Sequence, residues 1–187
     1  MKQLVIFASG SGSNAENIIR YFHDSGKAKV AAVFCNKPGA GVVGRARRHG
    51  VPVEIISRET LNSGHVLADL KKINPDLIVL AGFLMMMPSS VIQAFPDKII
   101  NIHPALLPRF GGKGMYGDNV HRAVLQSGER ETGITIHYVD EHYDSGDVIF
   151  QAKADVGPDA TIDSIARSVQ ALEHEHFPKV IEKLLFA

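Results

Sequence analysis

Short apolar runs alternate along the first half of the chain with stretches in which apolar side chains recur every three or four residues. Leu4 to Ala8, Val30 to Phe34, Val51 to Ile56, Leu77 to Ala81 and Ile99 to Ile102 are near-continuous runs of Val, Ile, Leu and Phe. That pattern predicts strands covered on both faces. Between them, Asn14 to Phe22 sets Ile18, Ile19 and Phe22 on one side of a helix. Helical stretches are also expected over Ala40 to His49, closed by Gly50, over Val66 to Ile73, stopped by Asn74-Pro75, and over Ser89 to Phe95. Strands alternating with helices imply βαβ crossovers and an α/β fold, a doubly wound, mainly parallel Rossmann-like sheet.

The pattern changes after Pro104. A glycine-rich stretch, Gly111 to Gly117, precedes a helix near Asn119 to Gln126. Two β runs follow, Gly133 to Val139 and Val148 to Ala154, with the polar segment DEHYDSGD between them. This predicts antiparallel strands added to the sheet in the C-terminal half. A last helix is expected from about Ile162 to Leu185, kinked or split at Pro178. No repeat, low-complexity tract or linker interrupts the chain. A single domain over 1–187 is expected, with a βαβ half over 1–100 and a second half over 101–187.

Composition narrows the function. With 45% hydrophobic and 21% charged residues in 187, the chain can bury a core and is not a disordered one. Twenty basic and twenty acidic residues cancel, which argues against a nucleic-acid partner held by a basic surface. The cancellation is uneven: residues 1–100 hold 12 Lys/Arg and 7 Asp/Glu, and residues 101–187 hold 8 and 13. Either charges are scattered over a solvated surface, or the first half binds anions and the second handles a cation or proton. No apolar run reaches the ~20 residues of a membrane span. Cys35 is the single cysteine and has no internal disulfide partner. A reduced, cytoplasmic setting is expected.

Ser9-Gly10-Ser11-Gly12-Ser13-Asn14 joins the first strand to the first helix. Backbone N–H groups at such a turn form an anion nest, and either Ser13 or Asn14 is a candidate N-cap. Three readings compete: a plain capped turn, a dinucleotide loop, and a site for one phosphate monoester. The dinucleotide reading needs an acid at the end of the second strand, where Cys35-Asn36-Lys37 offers none. The phosphate reading rests on Gly12, Ser13 and Asn14.

Asn101-Ile102-His103-Pro104 closes the fifth strand, with Asn101 and His103 on one side by alternation. Together they offer hydrogen bonds to a developing oxyanion, and His103 a proton carrier near neutral pH. Asp144, in the loop between the late β runs, is expected to reach His103, orient the ring and raise its pKa. His137 and Thr135 are candidate supports. The histidines show no metal-ligand spacing, so no metal is expected.

These motifs, LAGFLMMMP, INIHPALLPRFGG and GITIHYVDEHYDSGDVI, resemble the formyltransferases that use 10-formyltetrahydrofolate. The family signature is Asn-x-His followed by a Leu-Leu-Pro turn, with a distant Asp before Gly. The resemblance implies the formyltransferase fold and Asn101, His103 and Asp144 as catalytic residues. It implies 10-formyltetrahydrofolate as co-substrate and glycinamide ribonucleotide as amine acceptor, or another phosphorylated or nucleotide-linked amine. It also implies a direct transfer through a tetrahedral intermediate, with no nucleic-acid or membrane partner, in a monomer or homodimer. Glu173 is expected at the glycinamide end and Arg58 as a second phosphate ligand. Leu84, Met85, Met86 and Met87, with Val139, Asp140 and Glu141, are expected around the folate. Met85 stands where many relatives carry an arginine. The loop Gly111 to Gly117, longer than the common form, is expected to cover the folate, with Lys113 or Arg109 meeting its tail carboxylates.

Overall fold

The computed structural model describes all 187 residues. Seven strands form one sheet in the order β3-β2-β1-β4-β5-β6-β7. The first five, β1 (Lys2–Ala8), β2 (Ala28–Cys35), β3 (Val53–Ile55), β4 (Leu77–Leu80) and β5 (Ile99–His103), pair in parallel. β6 (Glu131–Tyr138) is antiparallel to β5, and β7 (Val148–Asp155) antiparallel to β6. The added C-terminal pair is as the sequence predicts.

Alternation along β1 divides the core. Leu4, Ile6 and Ala8 join the apolar cluster under α1 (Ser13–Ser25), α2 (Gly41–Arg48) and α7 (Ile162–Phe186). Val5 and Phe7 join the cluster under α3 (Arg58–Asn62), α4 (His65–Ile73) and α5 (Ser89–Ala94). Phe7 stacks on Phe34 at 4.9 Å and meets Phe83 edge-on at 5.2 Å, which fixes that second face. α6 (Asp118–Ser127) follows the glycine-rich loop and packs against α7. Strand order reverses between β1 and β4, and such a reversal opens a crevice at the carboxyl ends of the strands.

Three local expectations are corrected. α3 is an extra helical turn, started by a capping box in which Ser57 and Thr60 exchange side-chain-to-backbone bonds. The N-cap of α1 is Gly12, at φ 80°, and not Ser13 or Asn14; no side chain caps this helix. α7 is one helix of 25 residues that contains Pro178, so the expected alternative of a split does not occur. Proline has no N–H for the carbonyl four residues back, which belongs to His174. Asn17 Nδ2 of α1 donates to that carbonyl at 2.9 Å, so the helix continues with its acceptor satisfied.

Candidate active site

One cleft of about 810 Å³ opens over the carboxyl ends of β1, β4 and β5. Its walls come from Gly10–Asn14 after β1, Ala81–Leu84 after β4, Asn101–Pro104, the loop 112–117, and α7. Gly12 is required twice in the first wall. Its φ of 80° is the left-handed region, and a Cβ there would lie 2.5 Å from Val42 Cα. The turn therefore brings bare backbone to the cleft, next to the uncapped N–H groups of the 13-residue helix α1.

At the other end stand Asn101, His103 and Asp144. Asp144 sits at φ 52° in the β6–β7 loop. The loop is pinned from within: Asp140 accepts from His142 N at 2.8 Å and from Ser145 Oγ at 2.8 Å. Gly146 passes so close to Tyr138 that a Cβ would fall 1.9 Å from its carbonyl oxygen. Asp144 Oδ2 takes a bond from Gly112 N at 2.9 Å and lies 3.5 Å from His103 Nδ1. His137, suggested as a support, stands beside Asn101. Its Nδ1 bonds the Tyr138 carbonyl at 2.8 Å, which makes Nδ1 the protonated nitrogen. Nε2 then accepts from Asn101 Nδ2 at 3.1 Å and fixes the Asn101 amide orientation. Thr135 holds the Leu-Leu-Pro turn. It accepts from Leu107 N at 3.0 Å and from Gln151 Nε2 at 2.9 Å, and donates to Ala105 O at 2.7 Å.

His103 is 3% exposed, and its Nε2 lies 2.8 Å from the Phe110 carbonyl. Burial pushes its pKa below the ordinary histidine range, against the opposing pull of Asp144 and Phe110. The expected upward shift is therefore reversed: desolvation outweighs a carboxylate 3.5 Å away, and the resting ring is neutral. With Nε2–H donated to Phe110, Nδ1 carries the lone pair. Burial opposes ionisation of Asp144 too, yet its carboxyl lies below the usual range, with the Gly112 N–H donating to the charged form.

Glu173 also lines the cleft, accepting from Asn14 Nδ2 at 2.8 Å. Burial raises its pKa, and the Asn14 bond offsets part of the rise. Of the seven expected folate residues, Leu84 alone lines this cleft. Met87 is 4% exposed and belongs to the core under α5; Met85 and Val139 pack against that core. Met86 is exposed, and Glu141 accepts a long bond from Gln93 at 3.4 Å. Arg58 begins α3, exposed, and is not among the residues lining the cleft. Arg109 is paired with Glu129 and covers the Phe110 ring, while Lys113 does line the cleft. Sequence reasoning missed His121, Arg167 and Gln170, all on the cleft wall. Arg167 and Gln170 precede Glu173 at helical spacings of three, a stripe that Glu173 already marked.

A formyl transferase family model matches residues 2–181. The chain belongs to the formyl transferase family. Among curated formyltransferases, it is 40% identical to a chloroplastic phosphoribosylglycinamide formyltransferase of Arabidopsis thaliana over 96% of this chain and 64% of that one. It spans less than two thirds of that plant relative and of its Vigna unguiculata counterpart. A phosphoribosylglycinamide formyltransferase of Bacillus subtilis is 35% identical over 99% of this chain and 95% of its own. The crystal structure of phosphoribosylglycinamide formyltransferase from Bacillus halodurans superposes with a TM-score of 0.90 at 35% identity, covering 99% and 96% of the two chains. The mainly parallel formyltransferase fold with its antiparallel C-terminal pair is thus shared with solved members.

Proposed function

We propose that this formyltransferase moves the formyl group of 10-formyltetrahydrofolate to the amine of glycinamide ribonucleotide. The observation that carries the reading is one cleft with two chemically different ends. Asn101, His103 and Asp144 meet at one end, and the bare Gly10–Asn14 turn lies at the other. A phosphate monoester on the turn orients the acceptor so that its amine reaches the polar cluster. Phe83, Leu84, Ile102 and Met115 offer an apolar wall that fits a flat, partly aromatic bicycle.

Asn101 and His103 act on the tetrahedral intermediate that forms when the neutral amine attacks the formyl carbon. Asn101 gives the oxyanion the amide proton not engaged by His137, which in the free chain makes a long, weak bond of 3.5 Å to Asp144 Oδ1. His103 gives its Nε2–H, which the Phe110 carbonyl holds in the free chain. Asp144 accepts, through water, the proton leaving the amine. That proton ends on the folate nitrogen as its bond to the formyl carbon breaks, so atoms and charge balance without a covalent enzyme intermediate.

An assay of the full chain with both substrates, following free tetrahydrofolate and formylated product, tests this. Asp144→Asn and His103→Ala should each lower kcat by about 10²–10⁴-fold while circular dichroism stays native. Near-normal turnover in both variants refutes the assignment. An acceptor screen that finds turnover only with another phosphorylated amine keeps the chemistry and replaces the acceptor.

A further inference from the structure

The glycine turn offers a phosphate only backbone dipoles and neutral side chains, and the sequence's choice of cation, Arg58, is not on the cleft. Two guanidinium or ammonium groups do line it, Lys113 and Arg167. Lys113 follows Gly112, whose N–H is bonded to Asp144, so it stands at the catalytic end. Arg45 reaches the turn from α2, but it is committed to Glu16 and to the Ser11 carbonyl at 3.0 Å. Arg167 has no hydrogen bond or ion pair, even with Asp163 one turn before it on α7.

The pairing of α1 with α7 fixes where Arg167 lies. Gln170 Nε2 donates to Ser13 Oγ at 3.1 Å, Asn14 Nδ2 to Glu173 at 2.8 Å, Asn17 Nδ2 to the His174 carbonyl at 2.9 Å, and Tyr21 bonds Glu182. Partner numbers rise together, so the two helices run parallel, and Gln170 sits level with the first residue of α1. Arg167 is three residues earlier on α7, about 4.5 Å further along the axis. It therefore projects past the start of α1, over the space in front of its uncapped N–H groups.

We infer that Arg167 is the specificity-determining cation for the acceptor's phosphate, an inference that rests on the proposed acceptor. It closes over the phosphate from α7 while the glycine turn holds it from below. Its planar fork gives two charge-assisted bonds where a neutral turn alone gives dipoles.

The test uses the full-length chain and two readouts. In turnover, Arg167→Ala should raise KM for glycinamide ribonucleotide about ten- to hundredfold with kcat within about twofold, and Arg167→Lys should recover part of it. The same variant should leave kcat/KM unchanged for the dephosphorylated glycinamide riboside. In calorimetry, ribose 5-phosphate should bind the parent chain and bind Arg167→Ala at least tenfold more weakly. A KM rise in Arg58→Ala with none in Arg167→Ala overturns the inference, as does equal loss for both acceptors. If the parent chain turns over no glycinamide ribonucleotide, the proposed function fails. Calorimetry then decides Arg167 alone: weaker ribose 5-phosphate binding in the variant upholds its role, and unchanged or absent binding in the parent overturns it.

Discussion

Glu173 shows how a residue's surroundings change what its type suggests. On an amphipathic helix it looks like one more solvated acid, yet it faces the cleft, is desolvated, and has Asn14 as its hydrogen-bond partner. Its raised pKa has a defined sign. The native chain binds this proton more tightly than the unfolded chain, so its stability contribution is lost as pH rises above the ordinary 4.5. Glu173→Gln should therefore raise Tm near neutral pH, converge with the parent near pH 4.5, and weaken acceptor binding at the same time. Equal Tm values at both pH values would count against the buried-charge account. Asn101, His103 and Asp144 were legible in the sequence because each comes with its own turn: a strand end, Leu-Leu-Pro, and Ser-Gly. Arg167 was not, because a charge on an exposed helix face reads like any other until the neighbouring helix and its register are known.

At the level of elements, the α1–α7 contact repairs what Pro178 removes. Asn17→Ala takes a donor from the His174 carbonyl and should cost about 1 kcal/mol, measured by urea denaturation. Pro178→Ala restores the backbone N–H, so the same Asn17 change should cost less in that background. Strict additivity of the two changes would rule out the exchange of donors. The β6–β7 loop depends equally on close approach: Gly146→Ala places a Cβ against the Tyr138 carbonyl and should cost about 2–3 kcal/mol, displacing Asp144. Periodicity marked α7 but not its continuity, since proline's missing partner was supplied from 157 residues away. α3 escaped notice because five residues carry too little periodicity; only the Ser57–Thr60 box announces it.

Across the whole molecule, the sheet was legible for a physical reason. Strands covered on both faces must be apolar throughout, and such runs alternating with amphipathic stretches admit few topologies. The pH response is collective and was not legible, because it depends on burial. His103, His121 and His174 are all held below the ordinary histidine pKa by desolvation. Below about pH 6.5 the unfolded chain takes up protons that the native chain refuses, so stability should fall from about pH 7.5 to 5.5. Thermal melts across that range check it, and His121→Gln should make the slope shallower. An unchanged slope in His121→Gln would contradict the burial of that ring, since Glu173 acts with the opposite sign in both chains.

The parallel α1–α7 pairing also ties the cleft wall to long-range closure of the fold. Its two halves, around Ser13 and Gln170, lie 157 residues apart, so the wall exists only once the two helices have docked. Occupancy and docking of the last helix then become one equilibrium. Ligand on the wall should slow amide hydrogen exchange along α7, well beyond the residues it touches. The site thus doubles as a clasp between two segments far apart in sequence.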